Sequence, residues 1–163
     1  MTKAKGNPIF VSFRMNGDDC VAAVPLREIQ SGRILDENKL KEVANIYAKS
    51  IHDMKIILEN LETTKSKKIP MLAVDIWDLG DKIVSLIETI NKKGFTIDGV
   101  YDHLIRDLGR KKQWLKKIII FRKNLPDRNM IPNDLKWSVC KDAPRYSAKL
   151  ILKGESLELL RKK

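Results

Sequence analysis

Cysteine and histidine are scarce in this sequence, and their scarcity argues against several kinds of site. The chain has two cysteines, Cys20 and Cys140, and two histidines, His52 and His103. A disulfide-stapled domain needs a larger set of paired cysteines, so we expect both thiols to be free in a reducing compartment. Neither histidine has a partner in the sequence that would make it a general base or a metal ligand. We expect both histidines to be exposed or half-buried.

The motifs of common catalytic sites are also missing. The sequence contains no Walker loop, no GxGxxG, no GxSxG, no CxxC and no HExxH. Asp18 and Asp19 are adjacent carboxylates, but no further ligand is spaced to complete a metal site around them. We therefore expect a protein that is not an enzyme and that holds neither a cofactor nor a metal.

Long apolar runs are absent as well. No stretch approaches the length of a membrane span, and the opening residues, MTKAKGNPIF, contain no apolar segment of the length of a signal peptide. The expected location is therefore the cytoplasm, without a membrane partner.

Positive charge is abundant but unevenly distributed along the chain. Residues 1–99 hold 15 Lys and Arg against 14 Asp and Glu, whereas residues 100–163 hold 17 against 7. Such an asymmetry indicates a polyanionic partner for the basic part, above all a nucleic acid. Solubility or an anionic membrane surface are the alternatives. A membrane-bound helix would need its apolar face for lipid, and here that face is expected to enter the core.

Apolar residues at spacings of four and three predict two long helices, over 36–62 and 70–93. Asp36 is expected to cap the first, and Pro70 suits the first turn of the second. The first seam is Leu40, Ala44, Tyr47, Ile51, Met54, Leu58 and Leu61, and the second is Leu72, Ile76, Leu79, Ile83, Leu86 and Ile90. A polar loop over 63–68 would join the helices into an antiparallel hairpin that packs within one domain or pairs with another copy.

The remaining segments complete a mainly α-helical fold. Two short apolar runs around the turn signal Asn16-Gly17-Asp18 predict a small N-terminal β-hairpin, the only expected β-structure. Short helices are expected over 135–141 and 145–152. The predicted organisation is a hairpin and linker (1–35), a long helical hairpin (36–93) and a basic, helix-turn-helix-like helical bundle (94–163) that forms one compact unit with 70–93.

Residues 101–120 have the pattern of a helix-turn-helix DNA reader. Gly109 lies where the tight turn needs a positive φ, while Ile105 and Arg110 fit their positions less well. The expected core positions are Leu104, Leu108, Leu115 and Ile118, and Trp114 should also turn inward. The side chains expected at the DNA are Lys111, Lys112, Gln113, Lys116, Lys117 and Ile120, with a phosphate contact from Arg110. The alternative is an ordinary helical pair with a solvated basic face.

Several segments carry a family resemblance. They are Lys93-Gly94, the stretches HLIRDLG (103–109) and WLKKI (114–118), and Asn124-Leu125-Pro126. With these, residues 79–152 resemble the helix-turn-helix domain of ParB and KorB-like plasmid partition proteins and regulators. Residues 24–29 and 40–44 are similar to the opening of the ParB amino-terminal domain. The family's Gly-Glu-Arg-Arg motif is absent, so the resemblance does not imply CTP binding.

A second resemblance involves the same carboxy-terminal layout together with Leu135-Lys136-Trp137-Ser138. It is similar to the helical amino-terminal domain of YhcG-type nucleases, which keep their nuclease residues in a separate domain without a counterpart here. The expected function is therefore binding of double-stranded DNA, in transcription regulation or plasmid or genome partition, with a homodimer formed through the helical hairpin. The alternative is a non-catalytic interaction or nuclease-accessory protein that binds RNA, single-stranded DNA or an acidic partner.

Overall fold

The computed structural model describes residues 10–15, 21–25, 37–97 and 99–155, and the predicted mainly α-helical class is confirmed. The strands are β1 (Phe10–Met15), β2 (Val21–Pro25) and β3 (Phe95–Ile97). The helices are α1 (Glu37–Ser66), α2 (Ala73–Lys92), α3 (Val100–Leu108), α4 (Lys112–Asn124), α5 (Trp137–Cys140) and α6 (Pro144–Lys153), with a short 3₁₀ turn at Arg128–Met130. Cys20, the carboxylates Asp18 and Asp19, the predicted turn at 16–18 and the Asp36 cap lie outside the described residues.

The chain forms two compact units. Unit 1 comprises Met1–His52 and Leu86–Gly109, and unit 2 comprises Asp53–Ser85 and Arg110–Lys163. Helices α1 and α2 therefore contribute residues to both units, whereas the predicted organisation divided the chain into consecutive segments. Within the described part of the chain, no helix combines the length and apolarity that crossing a membrane requires.

Unit 1 contains the three strands, the first part of α1, the last part of α2 and the whole of α3. Strand β1 pairs antiparallel with β2 and also with β3, in a register that sets Phe13 opposite Ile97. Strand β3 was not predicted, because three residues are too few to show an alternating pattern. Its side chains nevertheless alternate, with Phe95 and Ile97 buried and Thr96 exposed between them. The other buried side chains of this unit include Val43, Ala44, Tyr47, Ile51, Leu86, Ile90, Leu104 and Leu108.

Unit 2 packs its parts of α1 and α2 in antiparallel order. Asp53, the first residue of α1 in this unit, forms an ion pair at 3.7 Å with Lys82, near the end of the α2 segment. Thr64, near the end of α1, lines the same cleft as Asp75, near the start of α2. The predicted seam positions of this unit are buried or, for Leu72, half-buried: Met54, Leu58, Leu61, Leu72, Ile76, Leu79 and Ile83. The four-and-three pattern thus identified the buried stripes correctly.

Helix α2 approaches α4 closely at Gly80. A Cβ atom added there would lie 3.0 Å from Cβ of Arg122 and 3.0 Å from Cγ2 and the carbonyl oxygen of Ile118. Such distances are tighter than nine in ten real Cβ contacts, so a methyl group at this position would require α4 to give way by a few tenths of an ångström. The close approach fixes the inner side of α4 against α2.

The ends of the two long helices differ from the prediction. Helix α1 continues to Ser66 through the expected loop, and within it the hydroxyls of Thr63 and Thr64 donate to carbonyl oxygens four residues earlier. Helix α2 begins at Ala73 rather than Pro70. Residues 71–72 pair instead with the segment before α5, since the amide of Trp137 donates to the carbonyl of Met71 and that of Ala73 to the carbonyl of Leu135.

Candidate nucleic-acid interface

The segment predicted to read DNA contains α3 and α4, which begin and end close to the expected residues. Gly109 ends α3 with φ +68°, the left-handed conformation expected for it, and its amide donates to the carbonyl of Ile105. Gly109 is the last residue of unit 1 and Arg110 starts the second segment of unit 2, so the two helices belong to different units. The candidate interface therefore lies on the unit that holds α4.

Helix α4 has one buried side and one basic side. The buried side chains are Leu115, Ile118, Ile119 and Phe121, which include both predicted core positions of this helix. Trp114, expected inside, is half-buried. Of the residues expected at DNA, Lys111, Lys112, Gln113 and Lys116 are exposed and Lys117 and Ile120 are half-buried. The structure thus places Lys112, Gln113, Lys116 and Lys117 on the outer side of α4 and Lys111 at its N-cap.

Two further residues of this face were not predicted. Positions 112, 116 and 123 repeat at spacings of four and seven, so Lys123 extends the row of exposed lysines along the helix. Asn124 ends the helix, with its amide donating to the carbonyl of Ile120. The signal was available in the helical spacing, but a helix-turn-helix unit that starts at Tyr101 ends at position 120. No acidic residue occurs in α4, so its outer side is uniformly basic or neutral.

The arginines of this segment have a different role, since several form ion pairs within unit 2. Nε of Arg122 lies 2.9 Å from Oδ1 of Asp81. Arg128 makes a bidentate pair with Asp78, at 2.7 and 3.0 Å. A planar guanidinium suits such carboxylate pairing, whereas a lysine ammonium is a flexible point charge. Asp78 and Asp81 of α2 thus balance arginines, and the outer side of α4 carries mainly lysines.

Arg110 was expected to contact a phosphate, and the structure gives it another partner. Its terminal nitrogen lies 2.6 Å from Oε1 of Glu62, and the guanidinium sits 5.6 Å from the centre of the Trp114 ring. The Nε atom of Arg110 is buried and has no hydrogen-bond partner among the described residues. The hydrogen bond from Arg110 holds the pKa of the Glu62 carboxyl below its usual value. A phosphate would have to compete with this ion pair.

Helix α6 lies beside α4 and adds positive charge. Arg145 and Lys149 are exposed and one turn apart, and Lys153 follows at the end of the helix. Its opposite side is buried through Ser147, Ala148, Leu150 and Ile151. Like α4, this helix contains no acidic residue. The two helices therefore present a common basic surface, which we call the α4–α6 surface; its cationic members are Lys111, Lys112, Lys116, Lys117, Lys123, Arg145, Lys149 and Lys153.

The structure also places the two histidines and Cys140, and it was searched for groups of metal-ligating side chains. His52 is exposed and His103 is half-buried, as expected. Cys140 is buried. Within residues 10–15, 21–25, 37–97 and 99–155, no group of three or more His, Cys, Asp or Glu side chains could hold a metal ion.

Comparisons with known proteins did not identify a relative of this chain. A scan against protein-family models, a search of curated proteins and a search of solved structures each found no match to this chain. The resemblance to ParB-like and YhcG-type domains therefore rests on the quoted sequence segments.

Proposed function

We propose that this protein binds double-stranded DNA through the outer side of α4. One observation carries the proposal: the exposed face of α4 bears lysines and Gln113, and the helix contains no acidic residue. Exposed lysine ammonium groups are suited to phosphates, whose contacts supply most of the affinity and fix the position of a protein on DNA.

Within this proposal the side chains have separate roles. Lys111, Lys112, Lys116 and Lys117 contact phosphates, and Gln113 reads a base edge, because its amide can both donate to and accept from adenine. The protein acts by binding, without catalysis or a cofactor, in the cytoplasm. Transcription regulation and plasmid or genome partition are the processes that a DNA-binding protein of this kind would serve.

A homodimer formed through α1 and α2 is part of the same proposal. The described seam side chains are already buried within the single chain, except for the half-buried Leu72, so two copies would meet through the outer sides of these helices. Ile56 in α1, whose exposed fraction is 46%, is a suitable contact. Sedimentation of the wild type and of Ile56→Glu tests this point, since a dimer that uses this side should dissociate in the variant.

The proposal is tested by titrating duplex DNA with the wild type and the double variant Lys116→Ala/Lys117→Ala at several salt concentrations. The variant should bind all sequences more weakly. The slope of log K against log salt should flatten by about 0.9 for each phosphate that the variant no longer neutralises. The matched control is Lys55→Ala/Lys67→Ala, which removes the same charge from exposed positions outside α4. Unchanged affinity and slope in the α4 variant, or an equal loss of affinity in the control, would remove α4 from the interface.

A further inference from the structure

A shallow groove opens between α4 and α6 on the α4–α6 surface. Its lining consists of Ile120 from α4 and Ala143, Pro144, Arg145, Tyr146 and Lys149 from the start of α6. Its volume of about 440 Å³ falls in the range of roughly 300–1,000 Å³ that is usual for small-ligand sites. The groove is mostly apolar, and its charged lining residues are Arg145 and Lys149.

Tyr146 distinguishes this groove from the rest of unit 2. Five aromatic side chains lie in the described part of that unit, and four of them are buried or half-buried: Trp77, Trp114, Phe121 and Trp137. Trp77 donates to the carbonyl of Leu125, and Trp137 packs edge-on against Phe121. Tyr146 is 49% exposed and lines the groove. An exposed aromatic ring beside cationic side chains is the usual platform on which an unpaired base stacks.

The charges around the groove suit a polyanion. Lys116, Lys117 and Lys123 lie within about one turn of Ile120 on α4, and Arg145 and Lys149 flank Tyr146 on α6. The nearest acid along the chain is Asp142, which is exposed just before α6 begins. A DNA strand whose phosphates lie along the α4 lysines would therefore bring its bases toward an apolar groove that contains the exposed ring of Tyr146.

We infer that the groove between α4 and α6 takes an unpaired base, which stacks on Tyr146 while the phosphates of its strand lie on the lysines of α4. This inference rests on the proposed function and adds a preference to it. The protein should favour DNA with a short unpaired segment over fully paired DNA, because bases inside a continuous duplex are stacked on one another and cannot reach the ring.

The test is a set of fluorescence anisotropy titrations of the full chain with three probes of one sequence: a perfect duplex, the same duplex with a short unpaired segment, and the single strand. The wild type should bind the probe with the unpaired segment on the order of tenfold more tightly than the perfect duplex. Tyr146→Ala should remove this preference and leave duplex affinity and its salt slope unchanged. Tyr146→Phe should retain the preference, since stacking needs the ring and not the hydroxyl.

A matched control variant is Leu152→Ala, which shortens another exposed apolar side chain of α6 and should keep the preference. Equal affinity of the wild type for the perfect and the interrupted duplex would overturn the inference while leaving duplex binding in place. Equal weakening of all three probes by Tyr146→Ala would overturn it too, since the ring would then make no base-specific contact. Competition by polyglutamate as effective as that by the single strand would point instead to an acidic protein partner. Failure of all three probes to bind would remove the proposed function itself.

Discussion

The phenol of Tyr47 donates a 2.5 Å hydrogen bond to Oδ2 of Asp107 and thereby connects α1 to α3 within unit 1. Both residues are buried, and the Asp107 carboxylate is also held by Arg106, whose Nε lies 2.7 Å from Oδ1. Burial, followed by the hydrogen bond to Asp107, raises the pKa of Tyr47 well above its ordinary value. A residue that the sequence pattern assigned to an apolar seam therefore also satisfies a buried charge.

Removing the hydroxyl of Tyr47 should destabilise the protein. We expect Tyr47→Phe to lower the free energy of unfolding by about 1.5–3 kcal/mol, because a buried carboxylate loses a hydrogen bond. Urea unfolding followed by circular dichroism measures the change. Tyr146→Phe is the control, since that tyrosine is exposed and its variant should unfold at the wild-type urea concentration. Identical unfolding of Tyr47→Phe and the wild type would mean that the hydroxyl contributes no stability.

The same tyrosine should make stability depend on alkaline pH. The folded state holds the phenol proton above pH 10.0, the ordinary pKa, where the unfolded chain loses it. Its contribution is therefore complete below pH 10.0 and is lost as the pH rises toward the raised pKa of the folded state. The free energy of unfolding should fall more steeply above about pH 10 in the wild type than in Tyr47→Phe. Parallel slopes in the two proteins would contradict this expectation.

Much of the fold could be predicted from the sequence because its helices are long and regularly patterned. Seam positions such as Ile51 and Ile83 are buried as the four-and-three spacing predicted, and Leu72 is half-buried. Strand β3 and the end of α1 could not be predicted in the same way. The strand depends on pairing with β1, which is distant in sequence. Helix α1 continues through the polar residues Thr63 to Ser66, whose composition is typical of a loop.

The candidate site, too, could be predicted from the sequence only in part. Helical spacing was sufficient to place Lys116 and Gln113 on the outer side of α4. It could not show that Arg110 pairs with Glu62, which is 48 positions away, or that Tyr146 and Ile120 line one groove. Both relationships arise from contacts between elements that are distant in sequence, and no periodic pattern encodes them.

Gly80 should be intolerant of even a methyl group. Alanine favours an isolated helix over glycine by about 1 kcal/mol, but its Cβ would meet the carbonyl oxygen of Ile118 at 3.0 Å. Because backbone cannot move aside as a side chain can, we expect Gly80→Ala to destabilise the protein by about 1–3 kcal/mol. Thermal unfolding compares it with Ser85→Ala, a change at an exposed position of the same helix. A melting temperature at or above that of the wild type would mean that α4 gives way to the added methyl group without loss of stability.

Arg110 should contribute less to DNA binding than its charge suggests. We expect Arg110→Ala to weaken binding less than Lys111→Ala, because the guanidinium is already paired with Glu62 and Lys111 is exposed. Glu62→Gln should strengthen binding, since it releases Arg110 toward phosphate. Duplex titrations at a fixed salt concentration measure both effects. Glu59→Gln, which removes the same charge from an exposed position of α1, separates release of Arg110 from the change in net charge. An equal gain in both glutamine variants would leave no role for the release.

Gln113 should determine sequence preference rather than overall affinity. It is exposed near the start of α4, and a glutamine amide can make paired hydrogen bonds to adenine. We expect Gln113→Ala to reduce discrimination at one base pair by about 1–3 kcal/mol while the salt slope stays close to that of the wild type. Selection from a random duplex library, followed by titration of the preferred site and its single-base variants, provides the measurement. Asn124→Ala serves as the control, because that amide is already bonded to the carbonyl of Ile120 and should not affect discrimination. If Gln113→Ala changes the salt slope and leaves discrimination intact, the residue contacts the phosphate backbone and the base edge is read elsewhere.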